Sequence, residues 1–173
     1  MIMSGVLLFV FQDTLFYTRT EVAQKPVEIL GPFPDVSLLG LDGRNHIISD
    51  IISENVKNKR TTIVSLWATW CGPCTTELPL LKKALPKLKE QGVEVVLVNY
   101  DDGDASNVVK EVKAWLISQG LEEVGTLFDF KQELMDKLDV SALPFAVKIG
   151  VDGKMKWKRS GQLSWASPEL AAP

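Results

Sequence analysis

The stretch that most constrains this chain is a buried-strand pattern running into its only two cysteines. Thr61-Thr-Ile-Val-Ser-Leu-Trp-Ala68 is β-branched, aromatic and apolar, the pattern of a buried strand. Thr69 and Trp70 follow, then Cys71-Gly72-Pro73-Cys74. From Thr75 to Gln91 the apolar residues fall at Leu78, Leu81, Ala84, Leu85 and Leu88, a helical spacing. Pro79 and Pro86 are expected to kink or divide that helix, and Gly92 suits its C-cap.

The remaining segments repeat the alternation. Val36 to Gly43 reads as a strand entering a turn at Asp42-Gly43. Ile47 to Ile52 fits a short strand or a helical turn, and Lys57 to Arg60 a solvated approach to the next element. Val93 to Asn99 is a second buried strand. Asp101, Asp102 and Asp104 form a turn with N-cap candidates for a helix over Ala105 to Gln119. Thr126 to Phe130 reads as a strand, Lys131 to Leu138 as a short helix, and Phe145 to Ile149 with Lys154 to Arg159 as a hairpin about Asp152-Gly153. Strands alternating with helices imply parallel βαβ units, and the hairpin adds an antiparallel pair. The expected class is α/β: a mixed central sheet flanked by helices on both faces.

Composition narrows the function. At 173 residues the chain is expected to hold one domain. Its 46% hydrophobic and 24% charged residues exclude a disordered chain, a coiled coil and a multi-span membrane protein. A net charge of −3 gives no support for nucleic-acid binding. Two cysteines are too few for a disulfide scaffold. With His46 as the single histidine, the chain also lacks the ligands of a self-contained zinc site. The spacing of the cysteines therefore points to redox chemistry.

Residues 1–34 are read as an apolar N-terminal segment and linker, and residues 35–173 as the domain. Met1 to Phe11 is almost wholly apolar or small, too short to span a bilayer alone and without the basic start of a secretory signal. It is read as a degenerate signal or membrane anchor, with an arm packed on the domain as the alternative. Pro26, Pro32 and Pro34 discourage helix in the linker.

Cys71 falls at the start of a helix, where backbone N–H groups stabilise negative charge and lower a thiol pKa. Its thiolate would attack a substrate disulfide, and Cys74, one helical turn on, would resolve the mixed disulfide. Pro73 stiffens the turn at a position whose N–H has no helical partner. The alternative is a pair of small buried hydrophobes or half of a metal site shared between chains.

Ser65-Leu-Trp-Ala-Thr-Trp-Cys-Gly-Pro-Cys74, followed by Glu77-Leu-Pro79, resembles the thioredoxin superfamily. More narrowly it resembles the TlpA/ResA-like branch of extracytoplasmic thiol:disulfide oxidoreductases. The likeness runs from about Val36 to Gln162 and takes in Val140-Ser-Ala-Leu-Pro-Phe-Ala-Val, the Asp152-Gly153 turn and Gly161. It implies a thioredoxin-like fold in which Pro144 is the cis-proline facing the cysteine pair and Leu143, just before it, pairs by its backbone with substrate. It implies that Trp70 covers the site, that Gly72 and Pro73 share in substrate contact, and that Glu77 manages the proton of the second thiol. Gly72-Pro73 is the dipeptide of thioredoxin, whose potential is near about −270 mV, so a reductant is expected.

Two departures stand out. Ser65 occupies the position of thioredoxin's buried Asp, which leaves Glu77 as the acid near the pair. Only Ser164 to Pro173 remains where the fold usually closes with a helix, so that helix is expected to be short or the chain to be a fragment. A peroxiredoxin would carry one peroxidatic cysteine in a different motif.

The resemblance thus implies exchange with protein dithiols and disulfides, apocytochrome c among them, with electrons from a membrane donor. It implies no cofactor beyond the Cys71–Cys74 disulfide. The expected location is periplasmic or membrane-anchored, with the cytoplasm as the alternative. A second reading is a thioredoxin-like binding module or a Cu(I) chaperone without exchange activity. His46 is read as a surface or turn residue.

Overall fold

The computed structural model describes residues 30–171. The expectations for Met1 to Phe11 lie outside the described residues. Pro32 makes an antiparallel bridge to Lys154, and Phe33 packs against the core.

The strands are β1 (Ser37–Gly40), β2 (Asn45–Ile47), β3 (Thr61–Trp67), β4 (Val93–Asn99), β5 (Leu127–Phe128), β6 (Phe145–Ile149) and β7 (Met155–Ser160). The helices are α1 (Ile48–Lys57), α2 (Gly72–Glu90), α3 (Ala105–Ser118) and α4 (Glu133–Leu138), and a 3-10 turn covers Pro168–Leu170. One sheet runs β2-β1-β5-β4-β3-β6-β7. The β3–β4 and β4–β5 pairs are parallel, and the β1–β2, β1–β5, β3–β6 and β6–β7 pairs are antiparallel. This is the mixed α/β architecture of the thioredoxin-like fold.

β3 is buried at every residue and sits between β4 and β6, which explains its unbroken apolar run. Its alternation divides the core. Ile63 and Trp67 face α2 and α3, packing with Leu78, Leu81, Val112 and Leu116. Val64 and Leu66 face α1 and α4, packing with Ile48, Ile52, Leu134 and Leu138. Helices therefore cover both faces, and β3 ends at the junction where the cysteines begin.

Local structure refines the sequence reading in three places. Ile47 to Ile52 contains both proposed elements: β2 ends at Ile47 and α1 begins at Ile48. α1 runs on to Lys57 because Ile48 and Ile52 bury one helical turn apart, and buried Asn55 donates to Thr62 Oγ1 at 3.0 Å. α2 runs from Gly72 through both Pro79 and Pro86 to Glu90. The closing helix is the single 3-10 turn, with Trp165 and Leu170 buried in the α2 face of the core.

Candidate active site

Cys71 is the N-cap of α2, with extended backbone, and Cys74 lies in the first turn. The two are joined by a disulfide, with S–S 2.00 Å and Cα–Cα 5.2 Å. Cys71 Sγ accepts from the Cys74 backbone N–H at 3.3 Å, so the sulfur takes the place a capping oxygen usually holds. In the reduced protein that donor and the helix dipole favour a thiolate at Cys71. Cys71 is 5% exposed and Cys74 1%. Thr75 and Thr76 hydroxyls both donate to the Gly72 carbonyl, and the Cys71 carbonyl accepts from Thr75 N at 3.0 Å.

Two segments distant in sequence hold this turn. Asp101, just past β4, accepts from the Thr69 hydroxyl at 2.7 Å and from the Thr69 backbone N–H at 3.1 and 3.2 Å. Asn99 Nδ2 donates to the same carboxylate at 2.7 Å. Asp104 is the true cap of α3, accepting from Asn107 N, so Asp101 and Asp104 have separate work. On the other side, Gln162 Nε2 donates to the Pro73 carbonyl at 2.8 Å. Neither Asp101 nor Gln162 carried a sequence signal for these contacts, because no local spacing relates them to the cysteines.

The Leu143–Pro144 peptide bond is cis. Phe145 pairs with Leu66, so Pro144 comes level with Trp67 at the end of β3 that leads to the cysteines. Leu143 packs against the core cluster that contains both sulfurs, and the Pro144 carbonyl accepts from Gly161 N at 2.8 Å. Trp70 is 67% exposed, an aromatic face directed to solvent beside Cys71. A groove of ≈ 340 Å³ opens there, lined by Trp70 and Trp115 with Asp101, Asp102 and Glu111.

Glu77 sits one turn past Cys74 on the same buried face of α2 and is 4% exposed. Burial is the largest influence on it and pushes its carboxyl up to about 7. The Leu163 backbone N–H and the Trp165 indole pull it back down. The indole does so without a completed hydrogen bond, since neither Glu77 Oε2 nor Trp165 Nε1 has one. Ser65 is buried on β3, paired with Leu97 of β4. His46 lies apart from the site on β2, bonded to Asp42 at 3.1 Å. Among the described residues no group of His, Cys, Asp or Glu converges as a metal site, and no helix is long and apolar enough to cross a membrane.

Residues 29–158 match the AhpC/TSA family. The chain belongs to that family. This AhpC/TSA chain is similar to the thiol-disulfide oxidoreductase ResA of Bacillus thuringiensis, 28% identical over 121 residues, or 68% of this chain and 66% of that protein. It is also similar to ResA of Geobacillus kaustophilus, 26% identical over 152 residues, or 86% of this chain and 78% of that one. Among solved structures it resembles a thioredoxin-family thiol:disulfide interchange protein from Chlorobium tepidum. There the TM-score is 0.62 and the identity 20%, over 82% of this chain and 93% of the other. Within the AhpC/TSA family this chain is thioredoxin-like in fold: its two cysteines are bonded to each other at a helix N-terminus, and a cis-proline precedes β6.

Proposed function

We propose that the protein is a thiol:disulfide oxidoreductase that reduces protein disulfides. The observation that carries this reading is Cys71 at the N-cap of α2 with a buried acid one turn beyond Cys74. In the dithiol form the Cys71 thiolate attacks one sulfur of a substrate disulfide, releasing the other as a thiolate and forming a mixed disulfide. The Cys74 thiol gives up its proton to Glu77 and attacks Cys71 Sγ. The Cys71–Cys74 disulfide forms, and the substrate leaves as a dithiol. Glu77, with a carboxyl balanced near neutrality, exchanges that proton in either direction.

Leu143 lines the substrate strand along the site with its backbone, beside Pro144, while Trp70, Gly72 and Pro73 form the opposite rim. The apolar run Met1 to Phe11 favours an extracytoplasmic setting, anchored at or exported across a membrane. There the disulfide draws electrons from a membrane dithiol donor, and apocytochrome c is one substrate of the right chemistry.

The test is insulin-disulfide reduction by the dithiol form, with Cys71→Ser as control. Turnover abolished by that substitution is expected. Absent reduction, with stoichiometric Cu(I) retained between the cysteines, would favour the chaperone. A pair potential near that of thioredoxin, about −270 mV, is expected of a reductant; one near about −120 mV marks an oxidant.

A further inference from the structure

The C-terminal segment does more than close the sheet. After β7 the chain crosses the first turn of α2, where Gln162 bonds to the Pro73 carbonyl, and then lays Leu163 and Trp165 along the helix. Further on, the Arg159 guanidinium pairs with the Glu169 carboxylate through its two terminal nitrogens, and Lys148 Nζ donates to the Glu169 carbonyl at 2.8 Å. The segment is thus pinned at both ends, and Trp165 between them is 4% exposed. Its indole N–H and Glu77 Oε2 are both buried without a completed hydrogen bond. A buried donor and a buried acceptor left over on facing elements form an exceptional pair, because such groups are nearly always satisfied.

We propose that Trp165 is a positioning residue for Glu77: its ring shuts water from the carboxyl, and its N–H supplies the one side-chain donor facing it. This rests on Glu77 being the acid that serves Cys74. The groups around Glu77 are few. On α2 the titratable neighbour on the same face is Cys74, and from the C-terminal segment come the uncharged Leu163 amide and Trp165 indole. Burial raises the Glu77 carboxyl, and the Leu163 amide and Trp165 indole, both uncharged, lower it. Lys148, Arg159 and Glu169 act on one another at the far end of the segment. The ring and the N–H therefore work in opposite directions: exclusion of water favours the acid form, and the donor favours the carboxylate.

Opposite effects make the proposal separable from a structural role. In the oxidised protein, where neither cysteine titrates, the Glu77 carboxyl is followed by ¹³C NMR against pH. Trp165→Phe keeps a six-membered aromatic ring over the carboxyl and removes the donor, so the titration moves up by about half a unit. Trp165→Ala admits water, and the titration moves down by about one unit. The pH profile of disulfide reduction follows in the same directions. Curves that superimpose on wild type, or shifts of one sign in both variants, overturn the proposal. If Trp165→Ala does not fold, Trp165→Phe, which keeps an aromatic ring in place, decides alone: an upward shift supports the proposal, and no shift or a downward one overturns it. Glu77→Gln separates the two readings. If the reduction profile ignores that substitution while the carboxyl titrates as described, Glu77 is not the acid serving Cys74, yet Trp165 still governs its proton.

Discussion

Glu77 holds its proton more tightly in the folded protein than in the unfolded chain, where a carboxyl has its ordinary value near 4.5. Its contribution to stability is therefore full below about pH 4.5 and is lost as the pH rises through about 7. The loss amounts to at most about 3 kcal/mol. Urea denaturation of the oxidised protein between pH 4 and pH 8 is expected to show that decline, and Glu77→Gln to flatten it. The two sulfurs differ at the same scale. Cys71 caps the helix and is the more exposed, so in the reduced protein it is expected to be alkylated first in timed iodoacetamide labelling read by mass spectrometry. Equal rates, or a faster Cys74, would contradict the assignment of attacking and resolving thiols.

At the scale of elements, α2 shows where local rules give way. A proline inside a helix costs about 3 kcal/mol, and α2 contains two. Leu78, Leu81 and Leu88 bury against the sheet on either side of them, each worth about 2 kcal/mol, and the helix persists. The aspartates after β4 give a paired test. Asp104→Ala removes a cap from α3 and is expected to cost about 1 kcal/mol. Asp101→Ala removes the acceptor for the Thr69 amide and hydroxyl and for Asn99. It is expected to cost about 2 kcal/mol and also to slow insulin reduction, because Thr69 leads directly into the site. Equal denaturation midpoints and unchanged rates for the two variants would show that Asp101 does not order the turn.

The same contrast explains what was legible in the sequence. β3 and the Cys-x-x-Cys turn were readable because each belongs to a local pattern, whereas Pro144 and Glu77 were singled out by the likeness to the TlpA/ResA-like branch. α1 was half-hidden because its buried face includes a polar residue, Asn55, whose partner is on another strand. Asp101, Gln162 and Trp165 reach the site only through the sheet topology, and no spacing along the chain encodes that.

For the whole molecule, the core is split by the sheet, and each half is bonded to function differently. The half shared by α2, α3 and the C-terminal segment contains the cysteines, whereas the α1 and α4 half contains none. Leu81→Ala and Val64→Ala open cavities on opposite faces, and Leu81→Ala is expected to cost 2 to 5 kcal/mol, about the usual range. Only Leu81→Ala is expected to move the potential of the cysteine pair, as measured by equilibration with glutathione. An equal shift from Val64→Ala would mean that the sheet does not insulate the site.

The two margins of the sheet have a consequence for a protein that works on other chains. β2, at one margin, has only three residues. β7, at the other, carries Lys156, Lys158 and Arg159, and its register with β6 is broken by an irregularity at Lys148/Ile149. Short, charged and irregular margins are poor templates for a visiting strand. On the proposed function, margins of this kind let the protein meet other chains at the cysteine site without pairing them along the borders of its sheet.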